Sequence, residues 1–554
     1  MRKHALWLAI TISLGLGGCA NLRAPRAAWN QPLDTSKACA EWRWIGISRD
    51  GARCPEVRGW NVEPLFAQMS ASSPVLLARG KNDCSSLEET LKEAEKRNQL
   101  VRELNRFCVY EIADKKKRLE DLPFPPAVSA DLVRFDQDCA ALSISARTET
   151  ASQDWKEQYK KFLGQVGRLD QDREQAMPLD INDWLGVRLA FLDTQPTGEG
   201  APQASGCSPH GYTLAHIARQ LVCTLESPEH CAAQITTRLA MPIVEFDPKS
   251  RDVGKPVECK GGYLGMQSDL AEAIRNEVDE WQRSKAQKHL VLNLSLAWDG
   301  DLFGGLGEQQ ISDLRAGTQA VYLALEYAAS FDVLVIAAAG NQKPLPCRST
   351  GPLLPAGWEI GTLEKSCGVT RSAPLLYGVG AVDSHGLPIA SARPGGMPPR
   401  AAYGRNAVVP TLKPEKPTAM LTGSSVAAAV VSSIAAIVWD TFPDLESKDV
   451  IELLETSGDE LDIPASFRFE GAGQLESPLP NTKRISLCAA LRKGCEDPKI
   501  RKGHPDRCPV DDDDCRPWAP EEGTPDPGPR LLASCQPWLL PQPEDVPCMA
   551  CIEY

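Results

Sequence analysis

The stretch LTGSSVAAAVVSSIAAIVW, residues 421–439, is apolar almost throughout but begins with hydroxyl side chains. Its composition predicts a buried helix, with Thr422, Ser424 and Ser425 at its start. A hydroxyl at such a position is most often a helix cap. The same position has unpaired backbone N–H groups and the positive end of the helix dipole, which stabilise an oxyanion. A serine nucleophile is therefore the alternative to a cap.

Attack by a serine on an amide requires a histidine base and a carboxylate that orients the base. His210 lies in CSPHGYTLAHIARQLVC, residues 207–223, at the start of an amphipathic pattern that predicts a helix. His216 lies within the same pattern, so we interpret it as a packing or surface residue. Asp193 ends the apolar run VRLAFLD, although an aspartate at a strand end is commonplace by itself.

Short apolar runs alternate with helical segments from about residue 186, which is typical of βαβ units with a parallel sheet. In such sheets the residues that bind ligands or take part in catalysis lie at the carboxyl ends of the strands. The predicted strands are VRLAFLD (187–193), HLVLNLSL (289–296), DVLVIAAAGN (332–341) and LYGVGAVD (376–383).

Together these motifs resemble those of the subtilisin-like serine proteases, whose catalytic residues follow the chain order Asp, His, Ser. LAFLDT resembles the family's strand that ends in Asp, HGYTLA its histidine helix, and GSSVAAAVV its serine helix. VIAAAGN resembles the segment with the side-chain oxyanion donor, and VLNLSL the strand that edges the substrate cleft. The resemblance covers about residues 190–440.

The resemblance implies a subtilisin-like, doubly wound α/β fold with a mostly parallel sheet flanked by helices. It implies that Asp193 orients His210 and that His210 takes the proton from Ser425, which attacks the peptide carbonyl. Asn341 and the backbone N–H of Ser425 would bind the oxyanion. The substrate is then a protein or peptide. The implied edge of the cleft is Ser295, Leu296, Ala297 and Trp298.

Some positions differ from the family's pattern. Gln195 stands where the family usually has Gly, and Ala429 where it has Pro, but neither change removes a catalytic group. Trp298 is a bulky ring in a part of the cleft edge where small residues are usual, so it would narrow the pocket there. An active protease is favoured over an inactive, subtilisin-like binding scaffold. An esterase is disfavoured because no GxSxG motif surrounds Ser425.

The N-terminal sequence MRKHALWLAITISLGLGGCANLR indicates an export signal that is too short to span a membrane. Its LGGC sequence resembles a bacterial lipobox, which implies cleavage before Cys19 and lipidation of that cysteine. Ala20 follows this cysteine, and an alanine at that position resembles the sorting pattern of lipoproteins of the outer membrane. We therefore expect a protein that is lipid-anchored in the bacterial cell envelope, at the outer membrane, and that faces the periplasm or the cell surface. An ordinary secretory signal is the alternative.

Composition agrees with export. The formal net charge of -13 argues against nucleic-acid binding. Eighteen cysteines remain apart from Cys19, an even number suited to disulfides in an oxidising compartment. Cys548 and Cys551 form a lone CxxC, and the DDDD run at 511–514 is typical of a solvated loop. No metal or cofactor requirement is indicated, and the sequence does not predict an oligomeric state.

The flanks of the α/β region have different textures. SSLEETLKEAEKRNQLVRELNRF predicts an amphipathic helix over 85–107, with a capping box at Ser85 and Glu88. We interpret the N-terminal flank mainly as a permanent accessory domain, and a removable pro-segment is the alternative. The N-terminal flank has five cysteines and the C-terminal flank has seven. Both numbers are odd, so if every cysteine is paired, at least one disulfide must join each flank to another part of the chain. The predicted divisions are a signal peptide 1–18, an accessory or pro-region 19–180, a catalytic domain 181–460 and a Cys/Pro-rich extension 461–554.

Overall fold

The computed structural model describes much of the α/β region and parts of both flanks. The export signal with Cys19, Gln195, the DDDD run and the CxxC lie outside the described residues. The described residues are 39–49, 54–66, 84–112, 131–143, 147–150, 186–194, 208–223, 231–242, 264–300, 305, 311–341, 351–360, 374–393, 395–413, 416–461 and 481–501.

The strands, in chain order, are β1 Cys39–Ser48, β2 Trp60–Pro64, β3 Phe107–Ile112, β4 Leu132–Ser143, β5 Arg147–Thr150, β6 Val187–Asp193, β7 Gln234–Leu239, β8 Leu264–Met266, β9 His289–Leu294, β10 Leu296–Ala297, β11 Leu334–Ala338, β12 Tyr377–Val382, β13 Arg400–Tyr403, β14 Ala407–Lys413, β15 Lys416–Thr422, β16 Asp459–Glu460 and β17 Lys483–Arg484. The helices are α1 Cys84–Leu104, α2 His210–Val222, α3 Gln267–Ser284, α4 Ala316–Ala329, α5 Gly357–Ile360, α6 Ser424–Thr441, α7 Ser447–Ser457, α8 Leu487–Glu496 and α9 Pro498–Arg501.

A mostly parallel sheet forms the centre of the α/β region, in the order β16-β17-β13-β12-β11-β9-β6-β7. Its inner strands pair in parallel and are buried along their whole length. Strands buried on both faces are continuous apolar runs rather than alternating ones. The four predicted strands are therefore all present, and β6 has the predicted bounds. The α/β fold class is confirmed.

Successive side chains of β6 enter two different cores, as the two-residue period of a strand requires. Leu189 and Phe191 pack with α2 and α6 on one face of the sheet. Ala190 and Leu192 pack with α3 and α4 on the other face. Helix α6 is long and apolar enough to cross a membrane, but the protein buries all of it. It is the central helix of the first core.

An antiparallel N-terminal sheet packs over α3 and α4. Within it β1, β2, β3 and β4 pair antiparallel, and disulfides join Cys39 to Cys139 and Cys54 to Cys108. Ile45 and Ile47 of this sheet belong to the same core cluster as α3 and α4. The sheet is therefore packed onto the α/β region.

The predicted helix over 85–107 has different bounds in the structure. Helix α1 begins at Cys84 and ends at Leu104, three residues before the predicted end. The helical pattern does not continue because Phe107 begins β3, which pairs with both β1 and β2. Pairing on both sides of β3 outweighs the local helical periodicity.

Packing crosses both predicted domain boundaries. Strand β4 pairs with β8 and β10, and β5 pairs with β15, so the N-terminal flank contributes to sheets of the α/β region. Strand β17 extends the central sheet beside β13, and α8 packs with the apolar face of α7. The start of the C-terminal flank is thus part of the same core.

Candidate active site

The structure brings Asp193 and His210 together. Asp193 is the last residue of β6 and His210 the first of α2, and both are buried. Nδ1 of His210 lies 2.9 Å from Oδ2 of Asp193. The other carboxylate oxygen accepts a hydrogen bond from the backbone N–H of Thr194 at 2.7 Å. The aspartate is therefore fixed by the turn that follows its own strand.

Thr194 and Gly211 join the strand end to the helix start. The hydroxyl oxygen of Thr194 accepts a hydrogen bond from the backbone N–H of Gly211 at 2.8 Å. A Cβ at position 211 would lie 2.2 Å from the carbonyl oxygen of Thr194, closer than atoms can approach. Glycine at this position permits the close approach that places Nδ1 of the imidazole beside the carboxylate.

The second ring nitrogen of His210 defines what the pair can do. Nε2 is buried and has no hydrogen-bond partner among the described residues. An ionised carboxylate only accepts hydrogen bonds, so Nδ1 of a neutral ring carries the hydrogen and Nε2 presents its lone pair. The arrangement can accept a proton at Nε2 and stabilise the imidazolium that results.

The hydroxyls at the start of α6 are not helix caps. Gly423 is the N-cap residue, and it has no side chain. Thr422 Oγ1 accepts a hydrogen bond from the backbone N–H of Asn406 at 3.0 Å, and Ser424 Oγ accepts one from that of Gly340 at 3.1 Å. The capping interpretation of Thr422 and Ser424 is therefore wrong, because both hydroxyls accept hydrogen bonds from the backbone of other segments of the chain. Ser425 is completely buried in the first turn.

A chain of polar side chains joins the end of β9 to the first turns of α6. The sequence analysis assigned Ser295 to the cleft edge and did not single out Asn293 or Ser432. Ser295 Oγ lies 2.9 Å from Asn293 Oδ1 and 3.3 Å from the carbonyl oxygen of Ser425. Asn293 Nδ2 donates to Ser432 Oγ at 3.0 Å. Asn293 of β9 and Ser295, which follows that strand, thus fix the helix that carries Ser425.

Asn341 also lies beside this helix start. Its Oδ1 accepts a hydrogen bond from the backbone N–H of Ser424 at 2.9 Å. The side-chain amide is therefore held through its oxygen, and its donor is Nδ2. Strand β11 ends at Ala338, and Asn341 is the third residue after that end.

The predicted cleft edge, Ser295 to Trp298, is buried in this chain. Leu296 and Ala297 form β10, which pairs antiparallel with Ser143 and Leu142 of β4. A segment of the N-terminal flank therefore occupies the edge that the resemblance assigns to substrate.

The ring of Trp298 lies in the core. It packs edge-to-face on Trp358 with ring centroids 5.5 Å apart, and its backbone N–H donates to the carbonyl oxygen of Leu354 at 2.8 Å. Its side chain is fully buried. The expectation that this ring narrows a pocket at the cleft is replaced by a packing role between β10 and α5.

Two aspartates of β4 connect the N-terminal sheet to the α/β region, and sequence reasoning missed both. Asp136 accepts a hydrogen bond from the backbone N–H of Ala316, at the start of α4, at 2.9 Å. Asp138 accepts from the backbone N–H of Ser268, at the start of α3, at 3.4 Å and also from its hydroxyl. The signal was the alternation in VRFDQDC, which places both aspartates on one face of a strand.

Burial has a large effect on Asp138. Burial, together with the charge of Asp269, raises the pKa of this carboxyl to about 7, although Arg43 and the hydrogen bonds from Ser268 act in the opposite direction. Arg43 Nε lies 3.5 Å from Asp138, and Arg43 Nη1 donates to Asp269 at 2.7 Å.

Residues 256–473 match the sequence profile described as the Subtilase family. This part of the chain is similar to the subtilase family. This is a family of serine peptidases, and Asn341 and Ser425 lie inside the matched region. Asp193 and His210 precede it, so their place beside each other rests on the geometry above.

Comparison with curated proteins finds no match. Similar solved structures include the prenylagaramide maturation protease PagA, at 17% identity over 62% of this chain and 99% of that chain, with a TM-score of 0.35. The subtilase cytotoxin SubAB assembly has 15% identity over 62% and 99%, with a TM-score of 0.38. The MycP3 protease of the type VII (ESX-3) secretion system has 22% identity over 63% and 93%, with a TM-score of 0.35.

Proposed function

We propose that this protein is a serine endopeptidase that uses Asp193, His210 and Ser425 as its catalytic triad. The observation that carries the proposal is the buried contact of 2.9 Å between His210 Nδ1 and Asp193 Oδ2, with Nε2 of the same ring left to accept a proton. The hydrogen bond from Ser425 Oγ to Nε2 is part of the proposal. Catalytic hydrogen bonds are often long before substrate binds.

In the proposed reaction Ser425 Oγ attacks the carbonyl carbon of the peptide bond while its proton passes to His210 Nε2. Asp193 stabilises the imidazolium and remains ionised. The imidazolium then gives its proton to the leaving amine as the C–N bond breaks. A water molecule repeats the sequence against the acyl-enzyme, which releases the carboxylic acid and restores Ser425.

Negative charge develops on the carbonyl oxygen during both steps. The backbone N–H of Ser425 and Nδ2 of Asn341 are the proposed donors to that oxygen. The hydrogen bond from Ser424 N–H to Asn341 Oδ1 supports this role, because it fixes the amide plane beside the helix start. The positive end of the α6 dipole adds to the stabilisation.

A fluorophosphonate probe tests the proposal on the full chain before and after limited proteolysis. We expect labelling of the wild type and of Ser433→Ala, a buried serine two turns further along α6 whose hydroxyl donates to the carbonyl of Ala429. Ser425→Ala should remove the label. Labelling that persists in Ser425→Ala, or that is absent from folded wild type in both forms, contradicts the proposal.

The second candidate is a subtilisin-like binding scaffold without turnover. The pairing of β4 with β10 favours it, because the proposed cleft edge is occupied in the intact chain. A protease precursor that is inhibited by its own N-terminal flank would have the same pairing of β4 with β10. The two differ after proteolysis in the N-terminal flank, which should release activity from a precursor and none from a scaffold.

We also propose that the protein is anchored to the cell envelope through lipidated Cys19, facing the periplasm or the cell surface. The support is the N-terminal sequence, with its basic start, apolar run and LGGC. Metabolic labelling with a radioactive fatty acid should mark the wild type and leave Cys19→Ser unmarked. Equal labelling of both would contradict the anchor.

A further inference from the structure

A disulfide lies where β4 passes from the N-terminal sheet into the α/β region. Cys39 and Cys139 are opposite each other in the pairing of β1 with β4, and we call their bond the junction disulfide. After Cys139 the strand changes partners, since residues 140–143 pair with β8 and β10. The junction disulfide therefore fixes β4 immediately before it reaches the proposed cleft edge.

A cation contacts both sulfur atoms of the junction disulfide. Nη1 of Arg315 lies 3.6 Å from Sγ of Cys39 and 3.5 Å from Sγ of Cys139. A sulfur in a disulfide is a weak, neutral acceptor, whereas a thiolate is charged, so the guanidinium stabilises the reduced pair more than the oxidised pair. A disulfide whose reduced form is stabilised is easier to reduce.

The other disulfide of the same sheet provides a comparison. It joins Cys54 to Cys108, and we call it the sheet disulfide. A backbone carbonyl oxygen lies near one sulfur of each disulfide, 3.9 Å from Sγ of Cys108 and 3.6 Å from Sγ of Cys139. Among the hydrogen bonds of the described residues, a guanidinium contacts only the junction disulfide. Arg315 is therefore the electrostatic difference between the two bonds.

A reductant reaches the junction disulfide most easily at Cys39. This residue is 7% exposed and Cys139 only 1%. Strand β1 begins at Cys39, and the ends of elements open locally at a lower free energy than their centres. Arg315 is an exposed residue, so the sulfurs that it contacts lie close to the surface. Attack at Cys39 makes Cys139 the leaving thiolate, beside the guanidinium.

We propose that the junction disulfide is a redox switch that a dithiol opens, and that its reduction frees β4 from the cleft edge. One thiolate of the dithiol attacks Sγ of Cys39, the bond between the two cysteines breaks, and Cys139 leaves as a thiolate. The second thiol of the dithiol loses its proton and attacks the mixed disulfide, which releases Cys39 and converts the dithiol into its own disulfide. Two electrons pass to the protein, and the two protons of the dithiol pass to the cysteines or to solvent.

Reduction removes a link between residues that are 100 positions apart in the sequence. Such a link strongly restricts how far its two segments separate. Strand β1 keeps its own packing without the link, because Ile45 and Ile47 belong to the core cluster that includes α3 and α4. The segment that gains freedom is β4 beyond Cys139. Its effect on access to the cleft rests on the proposed function, whereas the chemistry of the disulfide does not.

The full chain with Ser425→Ala is equilibrated with increasing ratios of reduced to oxidised dithiothreitol. Free thiols are trapped by alkylation and quantified for each cysteine by mass spectrometry. We expect the junction disulfide to be half-reduced at a ratio about tenfold lower, or more, than the sheet disulfide. Equal ratios for the two bonds would overturn the inference.

Arg315 variants test the cause of that difference. Its side chain makes no capping hydrogen bond to α4, so it is replaced without loss of a helix cap. Arg315→Gln should raise the ratio needed for the junction disulfide by about tenfold, and Arg315→Lys, which keeps the charge, should restore most of the wild-type value. A ratio that is unchanged in Arg315→Gln would contradict the role of the guanidinium.

Amide hydrogen exchange of residues 140–143 and 296–297 measures the release of β4. Reduction of the junction disulfide should speed this exchange about tenfold or more. The double variant Cys54→Ser with Cys108→Ser is the control, and it should keep the wild-type exchange and the response to dithiothreitol. Unchanged exchange after the junction disulfide is reduced would overturn the switch.

Fluorophosphonate labelling of the chain with Ser425 connects the switch to activity. We expect the labelling rate to rise about tenfold or more as the junction disulfide is reduced, with the same midpoint as the thiol measurement. Labelling after limited proteolysis without any response to the dithiol would refute the switch and leave the proposed function standing. If neither treatment permits labelling, the proposed function fails, and the thiol and exchange measurements decide the role of the disulfide.

Discussion

At the scale of single residues, the proposed site depends on the contact between the end of β6 and the start of α2. Asp193 and His210 are adjacent because Thr194 binds both segments, through its N–H to the carboxylate and its hydroxyl to Gly211. Each of these residues was visible in LAFLDT and HGYTLA. The contact between Asp193 and His210 was not visible in the sequence. The two residues are 17 positions apart, and the course of the chain between them does not follow from the residues next to either one.

Asp193→Asn should lower kcat by about 10⁴-fold, since an amide nitrogen beside Nδ1 favours the wrong tautomer of the ring. Steady-state kinetics of the activated protein measure the change. The matched control is Asp440→Asn, whose carboxylate accepts from Gly186 N–H at the opposite end of β6 and can be replaced by an amide oxygen. A loss of equal size in both variants would show that the effect is structural.

Gly211→Ala should separate His210 from Asp193, because the added methyl group would lie 2.2 Å from the carbonyl oxygen of Thr194. We expect a loss of stability of about 1–3 kcal/mol from overpacking, together with a fall in kcat. Chemical denaturation and kinetics measure the two effects. Tyr212→Ala, at the adjacent exposed position, serves as the control, and unchanged kinetics in Gly211→Ala would contradict the packing argument.

At the scale of elements, β9 and α6 act as one unit. Asn293 has hydrogen bonds to Ser295 and Ser432, and all three side chains are buried. Buried polar groups that lose their partners cost their full desolvation free energy. The helix that carries Ser425 is therefore fixed to the end of the strand as well as packed on the sheet.

Asn293→Leu should lower the free energy of unfolding by about 1–3 kcal/mol, because it leaves the hydroxyls of Ser295 and Ser432 without this partner. Urea denaturation measures the loss. Asn276→Leu on α3 is the control. The hydrogen bonds of Asn276 to described residues join it to the side chains of Arg275 and Glu272 on the same helix, and we expect a change within about 0.5 kcal/mol. Equal effects at both sites would contradict the role of this network.

At the scale of the whole molecule, the N-terminal sheet is joined to the α/β region by apolar packing and by the caps that Asp136 and Asp138 supply to two helices. The raised pKa of Asp138 makes this contact depend on pH. An aspartate in an unfolded or undocked chain titrates near 3.9. Between about pH 4 and 7, Asp138 is therefore protonated to a greater extent in the docked state than in the undocked state. Docking weakens as the pH rises through this window.

Asp138→Asn should remove this pH dependence, because an amide keeps an acceptor for Ser268 and does not ionise. Unfolding or exchange of β4 measured between pH 4 and 8 should show decreasing stability with pH in the wild type and a flatter profile in the variant. Asp136→Asn is the control on the same face of β4 and should retain the wild-type slope. A wild type that gains stability across the window would contradict the sign of the effect.

The sequence alone determined the local features of this protein. Apolar runs defined the buried strands, the pattern at residues 421–439 defined the central helix, and the order of motifs indicated the family, because each depends on neighbouring residues. The tertiary structure alone decided which distant segments meet. It placed Asp193 against His210, Trp298 in the core and β4 on β10, since strand pairing and burial are fixed by the fit of whole surfaces and leave no periodic signal in either partner.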